Sequence, residues 1–238
     1  MTTPPSGTRA EIINNLIVGL KAGGHWSQLD VFYVFAAHAE DAALLNWRNP
    51  ATHVPAGVSS PTFTADEGFA GDGAASYVRT NYTPSTEAVS YAQDNASMWA
   101  WCRTNAAAAN TAICGGGNSG NLNLINPRNA SDLMSYVIND NTASTVSNTD
   151  STGFFGVTRS VATTQEAWKN GASLGSAAVT SVGLPAREQY ICCYNLGGTA
   201  SAFTTRQIAG AAWGASLAGL ESVFYSRLLT YMQAVGAA

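Results

Sequence analysis

Ser60-Pro61-Thr62-Phe63-Thr64-Ala65-Asp66-Glu67-Gly68-Phe69-Ala70-Gly71-Asp72-Gly73-Ala74-Ala75-Ser76-Tyr77-Val78-Arg79-Thr80 is the stretch that decides the fold class. It reads as a short strand, a glycine-punctuated turn and a second strand, with Thr62–Thr64 paired to Ser76–Thr80. Glycines at 68, 71 and 73 supply the tight turns, and Phe63 and Tyr77 supply the strand faces. Such a pattern belongs to an antiparallel β-protein, not to a nucleotide-binding α/β enzyme.

Further strands are expected on either side. Leu29–Ala37 is apolar, aromatic and β-branched and reads as a buried central strand. Ala96–Thr104 carries Trp99 and Trp101 and reads as a core strand with its tryptophan face partly outside. Ile113-Cys114 opens a strand that Gly115-Gly116-Gly117 bends or ends. Leu122–Ile125 and Leu133–Asn139 follow, then a strand pair over Phe154–Ser160 and Gln165–Lys169. Asn170-Gly171 after Lys169 is a tight turn, since both residues readily take positive φ. Glu188–Tyr194 and Ser201–Ala212 complete the strands, and Asn139–Gly153 is the most loop-like internal stretch.

Two helices flank this body. Thr8–Gly24 opens on the capping box Thr8-Arg9-Ala10-Glu11 and must dock on the body or on a partner subunit to be stable. Leu217–Val235 places Leu217, Leu220, Phe224, Leu228, Tyr231 and Val235 at three- and four-residue spacing, one apolar face of an amphipathic helix. The division is a tail and helix over residues 1–26 and one β-domain over residues 27–238, with residues 217–235 as its closing helix.

Of the 238 residues, 46% are hydrophobic, enough for a sizeable core, and only 11% are charged. The surface is therefore Ser, Thr, Asn, Gly and Ala, which suits packed assemblies and glycan-facing proteins. A net charge of −4 and the lack of any Lys/Arg run exclude phosphate-backbone binding. No apolar run reaches a membrane span, and the N-terminus lacks the basic start and apolar stretch of a signal peptide. Synthesis in the cytoplasm without export by the usual route is the expectation.

Cys102, Cys114, Cys192 and Cys193 show no metal spacing. Two readings stand: a Cys102–Cys114 disulfide across a loop, or four buried reduced thiols. Cys192 and Cys193, adjacent in a strand, would point to opposite faces, leaving one thiol outward for a neighbouring subunit.

Leu44-Leu45-Asn46-Trp47, Phe69-Ala70-Gly71-Asp72-Gly73 followed by Tyr77, and Trp168-Lys169-Asn170-Gly171 occur in an order that resembles a concanavalin A-like jelly roll of the laminin G-like branch, over roughly residues 28 to 235. The chain is further similar to tailed-bacteriophage proteins that combine this jelly roll with an N-terminal and a closing helix, the last ending in Tyr-x-x-x-x-Gly, here Tyr231 to Gly236. The resemblance implies an all-β jelly-roll sandwich and a virion component: a head decoration, fibre or tail-associated protein. Its partners would be other virion proteins and further copies of itself, with lysis releasing the particle.

Related glycosidases need an acid and a nucleophile about 5–5.5 Å apart. Asp66-Glu67 are adjacent and Glu188 stands alone, so no such pair is offered and no enzyme activity is expected. Laminin G-like domains often bind calcium, and Asp72, Asp140 and Asp150 are the loop acids that would serve; otherwise no cofactor is expected. Trp99 and Trp101 are the candidate sugar-stacking rings. The leading expectation is a non-enzymatic structural virion protein acting through subunit packing. The alternative is a lectin-like adhesin for a host-surface glycan, and a glycoside hydrolase stands third, disfavoured by the missing carboxylate pair.

Overall fold

The computed structural model describes residues 4–238. The chain opens with α1 (Gly7–Ala22), α2 (His25–Gln28), β1 (Leu29–Val34) and α3 (Glu40–Ala43). Next come β2 (Ala56–Val58), β3 (Thr62–Thr64), β4 (Gly68–Ala70), β5 (Tyr77–Arg79) and α4 (Pro84–Glu87). The middle holds β6 (Ala96–Cys102), β7 (Cys114–Asn118), β8 (Asn121–Asn126), β9 (Leu133–Asp140) and β10 (Ser144–Ser147). The last third holds β11 (Gly153–Val161), β12 (Thr164–Lys169), β13 (Ala172–Ala178), β14 (Tyr190–Ile191), β15 (Tyr194–Leu196), β16 (Thr199–Ser201), β17 (Gln207–Gly214) and α5 (Glu221–Val235).

Two sheets form the jelly-roll sandwich. Sheet one runs β13-β12-β11-β6-β17-β4-β3, with β1 also on β17. Sheet two runs β10-β9-β8-β7-β14-β5-β2, with β15 and β16 alongside β7. Their inner faces share one core, including Met98, Phe155 and Trp213 from sheet one and Ile125, Tyr136 and Ile191 from sheet two. A second core lies on the outer face of sheet one, where Leu16 and Leu20 of α1 and Phe224 and Leu228 of α5 cover Phe32, Trp99, Trp101 and Phe154. The middle of sheet one is thus buried on both faces, with β6 buried at all seven positions, while its edge strands β13 and β3 stay largely exposed.

The deciding stretch is β-structure, but it does not close as one hairpin. β3 pairs with β4, Phe63 opposite Phe69, and the chain then crosses to sheet two, where β5 pairs with β2 and β14. The reason is local. Asp66 (φ 62°) and Gly68 (φ 102°) turn the chain early, and the Gly71–Ser76 loop then carries it across the sandwich.

Other expectations are corrected in the same way. The N-cap of α1 is Ser6, whose Oγ accepts from the Arg9 N–H at 3.3 Å, so Thr8 lies inside the helix. α1 packs on α5 of its own chain. β1 is buried but not central: its outer edge is closed by Asn46, whose Oδ1 accepts from the Phe32 N–H, and by Trp47, whose N–H donates to the Phe32 carbonyl. The Gly115–Gly117 run lies within β7, where a Cβ on Gly116 would stand 2.4 Å from the Glu188 carbonyl oxygen. Glycine there permits close backbone approach rather than ending the strand. The 139–153 stretch contains β10, paired to β9. Two features follow the expected reading: Asn170 (φ 52°) and Gly171 (φ 75°) turn β12 into β13, and Gly236 (φ 79°) ends α5 in a left-handed cap.

Asp72 anchors the crossing loop. Its Oδ1 accepts from the backbone N–H groups of Ala74, Ala75 and Ser76, each at 2.8 Å. These bonds, Ala75's foremost, hold the carboxyl well below the usual carboxylate range. A folded pKa below the unfolded one gives stability that is fully present above about pH 4 and is lost as pH falls further. Between about pH 4 and pH 2, urea unfolding midpoints should therefore fall more steeply for the natural chain than for Asp72→Ala. The variant should already be weaker at neutral pH; parallel pH slopes would contradict this role.

Candidate functional site: a neutral polar groove on sheet two

The two terminal helices cover the middle of sheet one, whereas sheet two carries an open groove on its outer face. The groove has a volume of about 610 Å³. Its floor is Leu124 and Asn126 of β8 and Ser135 of β9. These residues alternate with core-facing Ile125, Met134 and Tyr136, so strand periodicity points them outward. One wall is the segment ending at Asn110 and Thr111, and another is the β8–β9 turn at Asn129–Ser131. The third is Tyr194 of β15 with Ser201 and Ala202 beside β16.

The walls are held in uncommon backbone conformations. Asn110 (φ 52°), Ala202 (φ 54°) and Asp132 beside the turn (φ 57°) are all left-handed. Alanine has no side chain to compensate such a conformation, and strain of this kind persists only where surrounding contacts enforce it. Here the Ala112 N–H donates to the Ala202 carbonyl at 2.8 Å, tying one wall to another.

Beneath the walls lies Arg206, 1% exposed. Its Nη1 donates to Thr111 Oγ1 (3.0 Å) and Asn126 Oδ1 (3.2 Å), and its Nη2 to the carbonyls of Ala106 and Arg128 (both 2.7 Å). One guanidinium therefore fastens a floor residue and two walls. Asn126 Nδ2 donates to the Ala108 carbonyl at 3.1 Å, which fixes the amide's orientation. Burial pushes the Arg206 pKa down from its ordinary value.

The lining holds amides, hydroxyls, small apolar groups and one half-buried phenol ring, with no carboxylate, imidazole or thiol. It can hydrogen-bond and stack; it contains no acid–nucleophile pair for glycoside cleavage. A second cavity, of about 230 Å³, lies between α1 and the 37–50 segment. Ile13, Ile17, Trp47 and Tyr231 make its walls apolar, without the dense hydrogen-bonding set of the groove.

The residues singled out from the sequence lie elsewhere. Trp99 is stacked on Phe154 (5.3 Å between centroids) and Trp101 on Tyr225 (5.9 Å), both buried under α5 rather than offered as sugar platforms. Asp72 is committed to its loop. Asp150 accepts from Thr152 and pairs with Lys169 Nζ at 3.2 Å. Asp140 is buried at the end of β9 and accepts from the Asn141 N–H. The three acids sit in separate loops or strand ends, and no group of three or more metal-ligating side chains comes together among the described residues. Tyr194 and Arg206 were not singled out, since Tyr194 closes an apolar run and Arg206 follows two threonines, neither within a motif.

All four cysteines are free and buried, which corrects both the Cys102–Cys114 disulfide and the outward Cys192 or Cys193 thiol. Cys102 lies on β6 of sheet one and Cys114 on β7 of sheet two, so they are on opposed layers and not on paired strands. Cys192 is left-handed (φ 67°), which breaks the expected strand; its thiol joins the core between the sheets, and Cys193 is buried as well. Burial pushes the Cys102 thiol up to about 11 and the Cys192 thiol up to about 12.

No protein-family model and no curated protein matches this chain. Solved structures do match in fold. Domain 4 of AbnA, a GH43 extracellular arabinanase from Geobacillus stearothermophilus, solved in complex with arabinotriose, has a TM-score of 0.54 at 11% identity, covering 83% of this chain and 98% of that one. The receptor binding domain of botulinum neurotoxin D has a TM-score of 0.58 at 11% identity, covering 86% of this chain and 54% of that one. A botulinum neurotoxin type C structure, reported with cell entry dependent on two ganglioside molecules, has a TM-score of 0.58 at 10% identity, covering 87% and 53%. This chain thus spans about half the length of the neurotoxin chains, and at these identities the likeness establishes the β-sandwich fold.

The cysteine geometry makes a simple prediction. A thiol reagent should label none of the four cysteines in the native protein and all four in denaturant, and reductant should leave the mass unchanged. Rapid native labelling, or a mass that rises on reduction, would contradict it.

Proposed function

We propose that the groove on sheet two binds carbohydrate and that the protein is a lectin-like glycan-binding module. The observation that carries this reading is the lining itself: neutral amides and hydroxyls around one accessible tyrosine ring, Tyr194. Sugars present hydroxyls for such groups and an apolar C–H face for such a ring. The arabinotriose complex of one structural neighbour and the ganglioside dependence of another support the same ligand class.

The resemblance to tailed-bacteriophage proteins supports a setting on a virion, with a host-surface glycan as partner, so that attachment is the proposed role. Decoration through subunit packing is the less supported role. α1 is spent on its own chain and the thiols are buried, so two of the contacts it would use are already taken.

The test is a glycan array followed by titration of the best ligand. Tyr194→Ala should weaken binding at least about fivefold while leaving the melting temperature within a few degrees, since an aromatic contact of this kind contributes about 1 kcal/mol. An array without any hit, or a Tyr194→Ala variant that binds as the natural chain does, would overturn the assignment.

A further inference from the structure

Two arginines of this protein are buried to 1% exposure, Arg159 and Arg206, and they differ in one respect. Arg159 donates to the carbonyls of Ile138, Ala162 and Val179 and also lies within electrostatic reach of Asp140 and Asp94. Its charge is compensated. Arg206 donates only to neutral oxygens, and its Nε–H has no hydrogen-bond partner. No carboxylate forms an ion pair with it among the described residues. The side chains that act on it are the Cys102 thiol, itself neutral below a pKa pushed up to about 11, and then Arg128, of the same sign. Arg128 is itself paired with Asp132 at 2.7 Å, so that carboxylate is already engaged.

Neutral carbonyls solvate a buried cation but do not cancel its field, and the field is screened less inside the protein than in water. The guanidinium lies one side chain behind the groove surface, at 3.0 Å from Thr111 Oγ1 and 3.2 Å from Asn126 Oδ1, both lining residues. The lining contains no carboxylate to offset it. In a protein of net charge −4, Arg206 thus sets a positive charge behind a lining that holds no carboxylate.

We infer that the groove takes a carboxylate-bearing saccharide in preference to its neutral counterpart, with Arg206 as the specificity-determining positive charge behind Thr111 and Asn126. This rests on the carbohydrate reading of the same groove. The carboxylate is recognised through the wall: amide and hydroxyl donors of the lining bind its oxygens, while Arg206 supplies the charge and holds Asn126 and Thr111 in place.

The experiment compares free acids with their methyl esters, which keep the sugar and remove the charge. Trigalacturonate and sialyllactose, each as acid and as ester, and lactose are titrated into the full chain at low ionic strength, alongside a neutral glycan array. At least one acid should bind roughly tenfold more tightly than its ester. Arg206→Met should bring the two together, and Arg206→Lys should keep part of the difference. Equal affinities for acid and ester in the natural chain, or binding of neutral glycans only, would overturn the inference and leave the carbohydrate reading standing. Absence of binding to every saccharide would overturn both. The acid–ester comparison uses the natural chain, so it decides the question even if Arg206→Met does not fold.

Discussion

Trp99 lies flat over Gly156, and the organisation of the molecule depends on that contact. The two residues face each other across the β6–β11 pair, and a Cβ on Gly156 would stand 2.0 Å from the indole ring. The ring fills the space a side chain would take, stacks on Phe154 and meets Phe224 of α5 edge-on. This aromatic cluster seats α5, and α1 packs on α5 in turn. Overpacking at such a site destabilises by about 1–3 kcal/mol, so the glycine is as much a part of the core as the tryptophan. The consequence for function is spatial. With α1 and α5 over the middle of sheet one, the groove proposed to bind lies on sheet two.

On sheet two the floor is rigid and the walls are loops, and buried polar groups join them. A loop wall would ordinarily be mobile. Here Arg206 ties the wall carbonyls of Ala106 and Arg128 to the floor residue Asn126, while Ser151 Oγ accepts from the Ala106 N–H at 2.8 Å. Removing the guanidinium would leave several buried acceptors without donors, each costing about 1–3 kcal/mol. The groove is thereby preorganised, which would limit the ordering cost of the proposed binding of a flexible oligosaccharide.

The class of fold was legible in the sequence because β-periodicity and turn chemistry are local. So was α5, from its apolar spacing, and so was the Asn170-Gly171 turn. What was not legible depends on the third layer. β6 is apolar at every position but Ser97, so alternation cannot say which face its tryptophans meet, and their burial follows only once α5 is placed over them. The sheet crossing at Gly71–Ser76 was hidden because the same glycines serve a hairpin or a crossover. Tyr194 and Arg206 carried little signal. The one available hint was a lone arginine at Thr204-Thr205-Arg206-Gln207-Ile208, at the mouth of an otherwise apolar strand. A neutral groove has no motif, since amides and hydroxyls cover the whole surface of this chain.

The central claim is that the ligand lies on the outer face of sheet two, and hydrogen exchange with a saturating bound oligosaccharide tests it most directly. The account predicts added protection in residues 106–111, 124–135 and 194–202, with α1, α5 and the 37–50 segment unchanged. Protection confined to the helices or to the 37–50 segment would place the ligand on the other side of the sandwich and contradict it.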